Sequence, residues 1–135
     1  ADGKVPGWDA DYSVGNGHPR GAGTYAKVLR LVREQNVVPL MDALAKMTYL
    51  PAKFIEDMVP GMEHRGRIKP GAMADITIFD PATVTENSSF DKGKNSLPST
   101  GIPYVVVNGT VVVENSKVLK DVYPGQPIRN QVFGD

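Results

Sequence analysis

One set of residues able to move a proton and to bind a carboxylate lies near the start of this 135-residue chain. His18 and Arg20 flank Pro19 in a glycine-rich stretch, and Asp2 lies in the same stretch. A carboxylate, an imidazole and a guanidinium on one loop can serve proton transfer and carboxylate recognition. The same groups can also form a hydrogen-bond cluster that only orders the loop, and composition alone favours this second interpretation.

Other catalytic and binding motifs are incomplete. Asp9, Asp11 and Ser13 alternate like the first ligands of a calcium loop, but Val14 and Arg20 stand where that loop needs glycine and glutamate. Serine chemistry lacks its Gly-x-Ser-x-Gly elbow, and no Gly-Lys-Ser or Gly-Lys-Thr accompanies the glycines. These patterns give no support to calcium binding, serine hydrolysis or phosphate binding.

Metal ligands are scarce. The chain has no cysteine and two histidines, His18 and His64. Disulfides and cysteine zinc sites are therefore excluded, and a zinc site needs three or four ligands. His64 lies among charged residues and is expected to be exposed. We expect no complete metal site and no cofactor bound to this chain.

Length and charge narrow the class of protein further. The chain suits one domain and is too short for a complete barrel enzyme of about 250 residues. Fifteen Lys and Arg balance fifteen Asp and Glu, which predicts no nucleic-acid partner and no anionic membrane surface. The chain starts at Ala1 without a leader or an apolar run long enough to cross a membrane. We expect a cytoplasmic chain that was processed or cut from something longer.

The elements that must position these residues begin after a loop predicted over residues 1–23. Thr24 is expected to cap the first helix, and a second helix is expected over 39–48 with Pro39 at its first position. Pro51 is expected to open a third, short helix over 51–58. Six apolar side chains on the first two helices are expected to drive self-association if no barrel covers them. They are Tyr25, Val28, Leu29, Val32, Leu40 and Leu44.

From Gly66 onward the sequence predicts strands. A strand is expected over 74–79, and Asn108-Gly109 predicts a hairpin between residues 104–107 and 110–113. Residues 117–122 are expected to add a strand, and the polar residues 82–102 to form a surface excursion. The fold class is therefore α+β, with an N-terminal loop and amphipathic helices followed by a small β-sheet with a hairpin. The hairpin strands are apolar on both faces and need cover on both.

Short strings in a fixed order resemble the C-terminal third of the N-acyl-D-amino-acid deacylases, the D-aminoacylase branch of the metal-dependent amidohydrolases. In chain order they are Ala1-Asp2-Gly3, His18-Pro19-Arg20, Gly23-Thr24, Lys46-Met47-Thr48, Leu50-Pro51-Ala52, Arg65-Gly66-Arg67-Ile68, Pro70-Gly71, Ala74-Asp75, Phe79-Asp80-Pro81 and Val107-Asn108-Gly109. The resemblance implies a fragment of a (β/α)₈ barrel plus its β-domain. Residues 1–60 would be the last loop and closing helices of the barrel, and residues 61–135 the C-terminal portion of the β-domain.

The resemblance also implies roles for individual residues. Asp2 matches the aspartate that orients or deprotonates a metal-bound water, and His18 and Arg20 match a substrate-proximal string. The implied reaction is hydrolysis of an N-acyl-D-amino acid with zinc in the full-length parent. The other metal ligands of the family are missing from this chain, so we expect the fragment alone to be inactive.

Two alternatives stay open at this point. The apolar hairpin and neutral charge also suit a noncatalytic β-rich interaction module. Another amidohydrolase, such as a dihydroorotase or hydantoinase relative, shares the strings around Pro70-Gly71 and Ala74-Asp75.

Overall fold

The computed structural model describes residues 17–129, in which helices precede a small antiparallel sheet. The helices are α1 (Arg20–Gln35), α2 (Leu40–Met47), α3 (Tyr49–Ile55) and a 3₁₀ turn (Met62–His64). The strands are β1 (Ile76–Ile78), β2 (Tyr104–Val107), β3 (Thr110–Glu114) and β4 (Lys117–Val118), which pair in the order β1-β2-β3-β4. The predicted α+β class is confirmed.

Helix α1 begins earlier than the sequence predicted. The loop expected to run to residue 23 gives way to helix at Arg20, so Gly21 and Gly23 are helical. Thr24 does not cap this helix, because it lies inside it and its hydroxyl donates to the Arg20 carbonyl at 2.8 Å. The helix ends at Asn36, whose φ of 49° is left-handed and whose N–H donates to Val32 O at 3.1 Å.

The two prolines at the next helix starts lie one position (Pro39) and two positions (Pro51) away from their predicted places. Pro39 is the extended N-cap of α2, with ψ of 142°, instead of its first helical residue. Helix α3 starts two residues before Pro51 and ends at Ile55, short of the predicted residue 58. A proline is tolerated there because the N–H groups of a first helical turn have no partner within the helix.

The hairpin is confirmed, and both of its turn residues take positive φ, 48° at Asn108 and 78° at Gly109. The turn is anchored to the start of β1: Gly109 N–H donates to Ala74 O at 3.0 Å, and Asn108 N–H donates to Asp75 Oδ1 at 2.8 Å. Strand β1 is shorter than the predicted 74–79, and β4 covers two residues of the predicted 117–122. The side chains of β2 are half-buried along its whole length.

The core forms where α1 meets residues 82–102. Val84 is fully buried and packs with Ala26 and Leu29. The expectation that 82–102 is only a surface excursion is therefore wrong. The segment folds back on itself through a bridge between Thr85 and Thr100, which places Val84 under α1. Four half-buried apolar side chains complete this core, namely Leu44, Met47, Phe79 and Ile102.

Candidate functional site

The His-Pro-Arg turn, residues 17–20, lies at the start of α1. His18 is exposed, and its Nδ1 accepts a hydrogen bond from the Arg20 backbone N–H at 3.1 Å. That N–H is one of the donors that the first helical turn leaves without a helical partner, so the imidazole satisfies it. Because Nδ1 is an acceptor here, neutral His18 carries its proton on Nε2. The turn thus leaves Nε2–H as the free donor of the His18 ring, and the Arg20 side chain, two residues further on, is exposed.

A distant segment, residues 86–95, holds this turn in place. Ser88 Oγ donates to Pro19 O at 2.9 Å, and Asn95 Nδ2 donates to Gly17 O at 2.9 Å. The Phe90 ring meets the His18 ring edge to face, with 5.0 Å between centroids and an angle of 81° between planes. Two backbone carbonyls and one side chain of the turn are therefore contacted from about 70 residues further along the chain.

Ion pairs fasten the same segment to the middle of α1. Arg30 reaches both carboxylate oxygens of Glu86, with Nη2 at 2.6 Å from Oε1 and Nε at 2.8 Å from Oε2, and its Nη1 also lies 2.8 Å from Glu34 Oε2. One turn further, Arg33 Nη1 donates to Val84 O at 2.7 Å. The hydrogen bonds from Arg30 lower the pKa of Glu86 to about 2.

This ion pair predicts a loss of stability in acid. The pKa of Glu86 is lower in the folded chain than its ordinary value of 4.5, so its contribution is complete above pH 4.5 and declines as the pH falls toward 2. Glu86→Gln should flatten the pH dependence of the free energy of unfolding in this window. Urea titrations from pH 5 to pH 2 measure it, with Glu114→Gln, an exposed carboxylate on β3, as the control. Equal profiles for Glu86→Gln and the unsubstituted chain would contradict the assignment.

Close packing of α1 on the segment gives a second stability prediction. A Cβ on Gly23 would lie 2.4 Å from Ser88 Oγ and 3.0 Å from Glu86 Cβ, whereas one on Gly21 would meet nothing within 4 Å. Helical Gly→Ala changes ordinarily stabilise by about 0.5–1 kcal/mol. We expect that gain for Gly21→Ala and a loss of about 1–3 kcal/mol for Gly23→Ala, from overpacking. Chemical denaturation of both variants measures the difference, and equal stabilities would refute the close contact.

The three sequence-predicted site residues have different outcomes. Asp2 lies outside the described residues. His18 and Arg20 lie at one turn and share a hydrogen bond, but their substrate-proximal role stays a prediction. Ser88, Phe90 and Asn95 were missed, because a serine, a phenylalanine and an asparagine in a polar run carry no spacing signal that points to a turn so far away.

The described part of the chain offers no metal centre. Among residues 17–129, no three His, Cys, Asp or Glu side chains come together in a way that could hold a metal ion. His64 is half exposed and lies 3.5 Å from Glu63, as expected for a surface histidine. His18 has one nitrogen occupied by the Arg20 amide. These residues do not fit a zinc site, which needs three or four ligands.

An apolar cavity of about 170 Å³ lies between α1, α2 and the end of β1. It is lined by Leu29, Val32, Arg33, Leu40, Phe79, Pro81 and Val84. Sites for small molecules usually enclose about 300–1,000 Å³. The cavity is too small for an acylated amino acid and lies among core residues, so we assign it no chemistry. In residues 17–129, no helix is long and apolar enough to cross a membrane.

Residues 7–113 match the model of an amidohydrolase family. The chain belongs to the amidohydrolase family. This confirms the resemblance drawn from the ordered strings, and the observed helices and sheet are part of that fold. Over 96 residues the amidohydrolase chain is 44% identical to N-acyl-D-glutamate deacylase from Alcaligenes xylosoxydans xylosoxydans, a match that covers 70% of this chain and 18% of the relative.

Two solved structures are similar to the amidohydrolase chain. One is N-acyl-D-glutamate deacylase from Bordetella bronchiseptica, complexed with zinc and a phosphonate inhibitor, with 40% identity and a TM-score of 0.72. The other is a D-aminoacylase, with 34% identity and a TM-score of 0.73. Each covers 84% of this chain, and this chain covers 22% of each. The chain spans about a fifth of the length of these relatives.

Proposed function

We propose that this chain is the C-terminal part of an N-acyl-D-amino-acid deacylase. The parent enzyme would hydrolyse the amide bond of its substrate to a carboxylate and a free D-amino acid. The observation that carries the proposal is the 40% identity and TM-score of 0.72 with a solved N-acyl-D-glutamate deacylase over 84% of the chain. In the proposed division, residues 1–60 close the barrel and residues 61–135 contribute to the β-domain.

The residues of this chain would bind substrate and move a proton. Asp2 would accept a proton from the attacking water and return it to the nitrogen of the leaving amine, as general acid–base catalysis requires. Arg20 is exposed, and no described carboxylate lies within ion-pair distance of its guanidinium. A guanidinium can bind a carboxylate through two parallel hydrogen bonds. Arg20 therefore suits the substrate carboxylate, with His18 Nε2–H as a neighbouring donor.

Zinc belongs to the proposed parent and not to the described part of this chain. The related N-acyl-D-glutamate deacylase carries zinc, whereas residues 17–129 bring together no group of ligands that could hold one. We therefore place the zinc ligands in the rest of the parent and expect the 135-residue chain to be inactive by itself.

Parallel assays of the parent gene product and of this chain test the proposal. Release of free amino acid is measured with N-acetyl-D-glutamate, N-acetyl-D-aspartate and their L-enantiomers, and zinc content by elemental analysis. We expect zinc and D-selective turnover in the parent, and neither in the isolated chain. Turnover by the isolated chain would overturn the fragment assignment, and a zinc-loaded parent with no amidase activity would overturn the function.

The deacylase relatives favour this function over the two alternatives, the noncatalytic module and another amidohydrolase. Self-association of the isolated chain stays a prediction, measurable by light scattering. Tyr25 is 66% exposed and is available for it, whereas Leu29 is buried against Val84 and is not. The cytoplasmic location and the lack of nucleic-acid and membrane partners also stay predictions.

A further inference from the structure

On the basis of the proposed function, we propose that Ser88, Phe90 and Asn95 are positioning residues for His18. They hold its imidazole in one plane, while the Arg20 amide fixes its tautomer, so that Nε2–H is left to donate to an oxygen of the N-acyl amino acid. Four sets of contacts surround His18 in this way: those of the turn backbone, of the two rings, of the bonds within residues 86–95 and of the Asn95 amide.

The backbone of the His-Pro-Arg turn is fixed on both sides of His18. Gly17 O accepts from Asn95, and Pro19 O accepts from Ser88, each at 2.9 Å. Pro19 O also accepts from the backbone N–H of Gly23 at 3.0 Å, which joins the turn to α1. A glycine-rich loop has a large conformational entropy to lose. Side-chain bonds at both flanking carbonyls keep the Cα–Cβ direction of His18 constant.

The imidazole itself is held by two contacts. Its Nδ1 edge bonds to the Arg20 amide, and its ring makes the edge-to-face contact with Phe90 in the geometry that aromatic pairs prefer. Phe90 is 81% exposed, so burial in the core does not explain its place. Among described residues, none accepts a hydrogen bond from His18 Nε2. Nε2 is therefore the ring nitrogen left to act, on a residue that is exposed as a whole.

The segment that carries Phe90 is itself closed by local bonds. Ser89 N–H donates to Lys94 O at 3.1 Å, and Lys94 N–H donates to Asp91 O at 3.0 Å. The Ser89 hydroxyl and Lys94 lower the pKa of Asp91 by hydrogen bonding to its carboxylate. Phe90 thus stands on a closed loop that is anchored to α1 by Ser88 and by the Arg30–Glu86 pair. This anchored loop fixes the place of the Phe90 ring and, through it, the place of the His18 ring.

Only the N–H end of the Asn95 side-chain amide makes a hydrogen bond with the described residues. Its Nδ2 faces Gly17 O, while its Oδ1 is buried and accepts no hydrogen bond from the described residues. Asn95→Asp would place an acceptor against the Gly17 carbonyl and leave two acceptors facing each other. The structure therefore uses the N–H of this side chain. Aspartate of nearly the same size replaces that donor by an acceptor and also adds a negative charge, so the control must add the same charge elsewhere.

Nuclear magnetic resonance of the histidine rings tests the proposal without any requirement for activity. The chain contains two histidines, His18 and His64, so labelling with ¹⁵N,¹³C-histidine gives signals from two imidazole rings. The His64 ring serves as an internal reference. We expect ¹⁵N shifts of neutral His18 that show a proton on Nε2. Phe90→Leu should move the His18 ring signals and Phe90→Tyr should preserve them. Phe54→Leu is the matched control, because Phe54 is 80% exposed on α3.

Asn95→Asp should likewise move the His18 signals. Its control is Asn115→Asp, because Asn115 acts as an acceptor from the Tyr104 hydroxyl through Oδ1 and aspartate keeps that bond. If the chemical shifts of the His18 ring are unchanged in both Phe90→Leu and Asn95→Asp, the positioning role is wrong. Equal movement in the two control variants would overturn it as well.

Kinetics of the parent enzyme supply a second readout. Phe90→Leu should raise KM about 3- to 10-fold, the size of one lost hydrogen bond, with kcat changed less than about twofold. Phe90→Tyr should restore KM. If the parent enzyme has no deacylase activity, the proposed function is wrong, and the resonance experiment still tests the position of His18. If the parent is active and Phe90→Leu leaves KM unchanged, the positioning role is wrong.

Discussion

Asp2→Asn in the parent enzyme is expected to lower kcat by about 10²- to 10⁴-fold, the usual contribution of a general acid–base residue. Asparagine keeps the size of the side chain but cannot accept and return a proton. Because the loss falls on proton transfer, KM should change little. Steady-state kinetics with the preferred N-acyl-D-amino acid measure both constants.

Asp11→Asn is the matched control, because it makes the same change of charge in the same stretch of sequence. Its kcat should remain within about twofold of that of the unsubstituted enzyme, because Asp11 is assigned no part in the proton transfer. Asp2→Asn with a kcat close to that of the control would show that Asp2 does not carry the proton. The proton carrier would then lie in another part of the parent.

Gly101→Ala is expected to destabilise the chain by about 3–5 kcal/mol, the range of exceptional single substitutions. Gly101 has φ of 80°, and a Cβ there would lie 2.5 Å from Val84 Cα and 2.6 Å from Val84 N. Those atoms are backbone and cannot rotate away. The methyl group would push apart the segment that carries the fully buried Val84.

Gly109→Ala separates the two causes of this loss. Gly109 has φ of 78° and would meet nothing within 4 Å of an added Cβ, so its alanine variant should cost only the left-handed backbone penalty of about 1–2 kcal/mol. Urea denaturation of the two variants measures the difference. Equal losses would mean that the Val84 backbone yields to the added methyl group.

The sequence predicted the elements whose signals are local. Asn108-Gly109 between two β-branched runs specifies a hairpin by turn chemistry alone, and the structure has it. The predicted start of α1 was wrong because Gly21 and Gly23 have low helix propensity, which favoured a loop in the sequence analysis. Here tertiary contacts override propensity, since Ser88 and Ser99 donate to carbonyls of the first turn at 2.9 Å each.

In the candidate site, too, the local features could be predicted from the sequence and the long-range contacts could not. His18 and Arg20 could be placed together from the sequence, because they lie two residues apart. The contacts of Ser88, Phe90 and Asn95 could not, since they join residues about 70 positions apart within a polar run. Val84 was hidden for a related reason. A single apolar residue in a polar segment has no periodicity that would reveal its burial.

The anchored hairpin turn has a consequence for the chemical lifetime of the protein. An Asn-Gly pair ages when the glycine nitrogen attacks the asparagine side-chain carbonyl carbon, closing a succinimide ring and expelling ammonia. In this chain the Gly109 backbone N–H donates to Ala74 O at 3.0 Å, and the side-chain Nδ2 of Asn108 donates to Pro124 O at 3.3 Å. Ring closure would have to break both bonds. The folded hairpin therefore protects its own turn from deamidation.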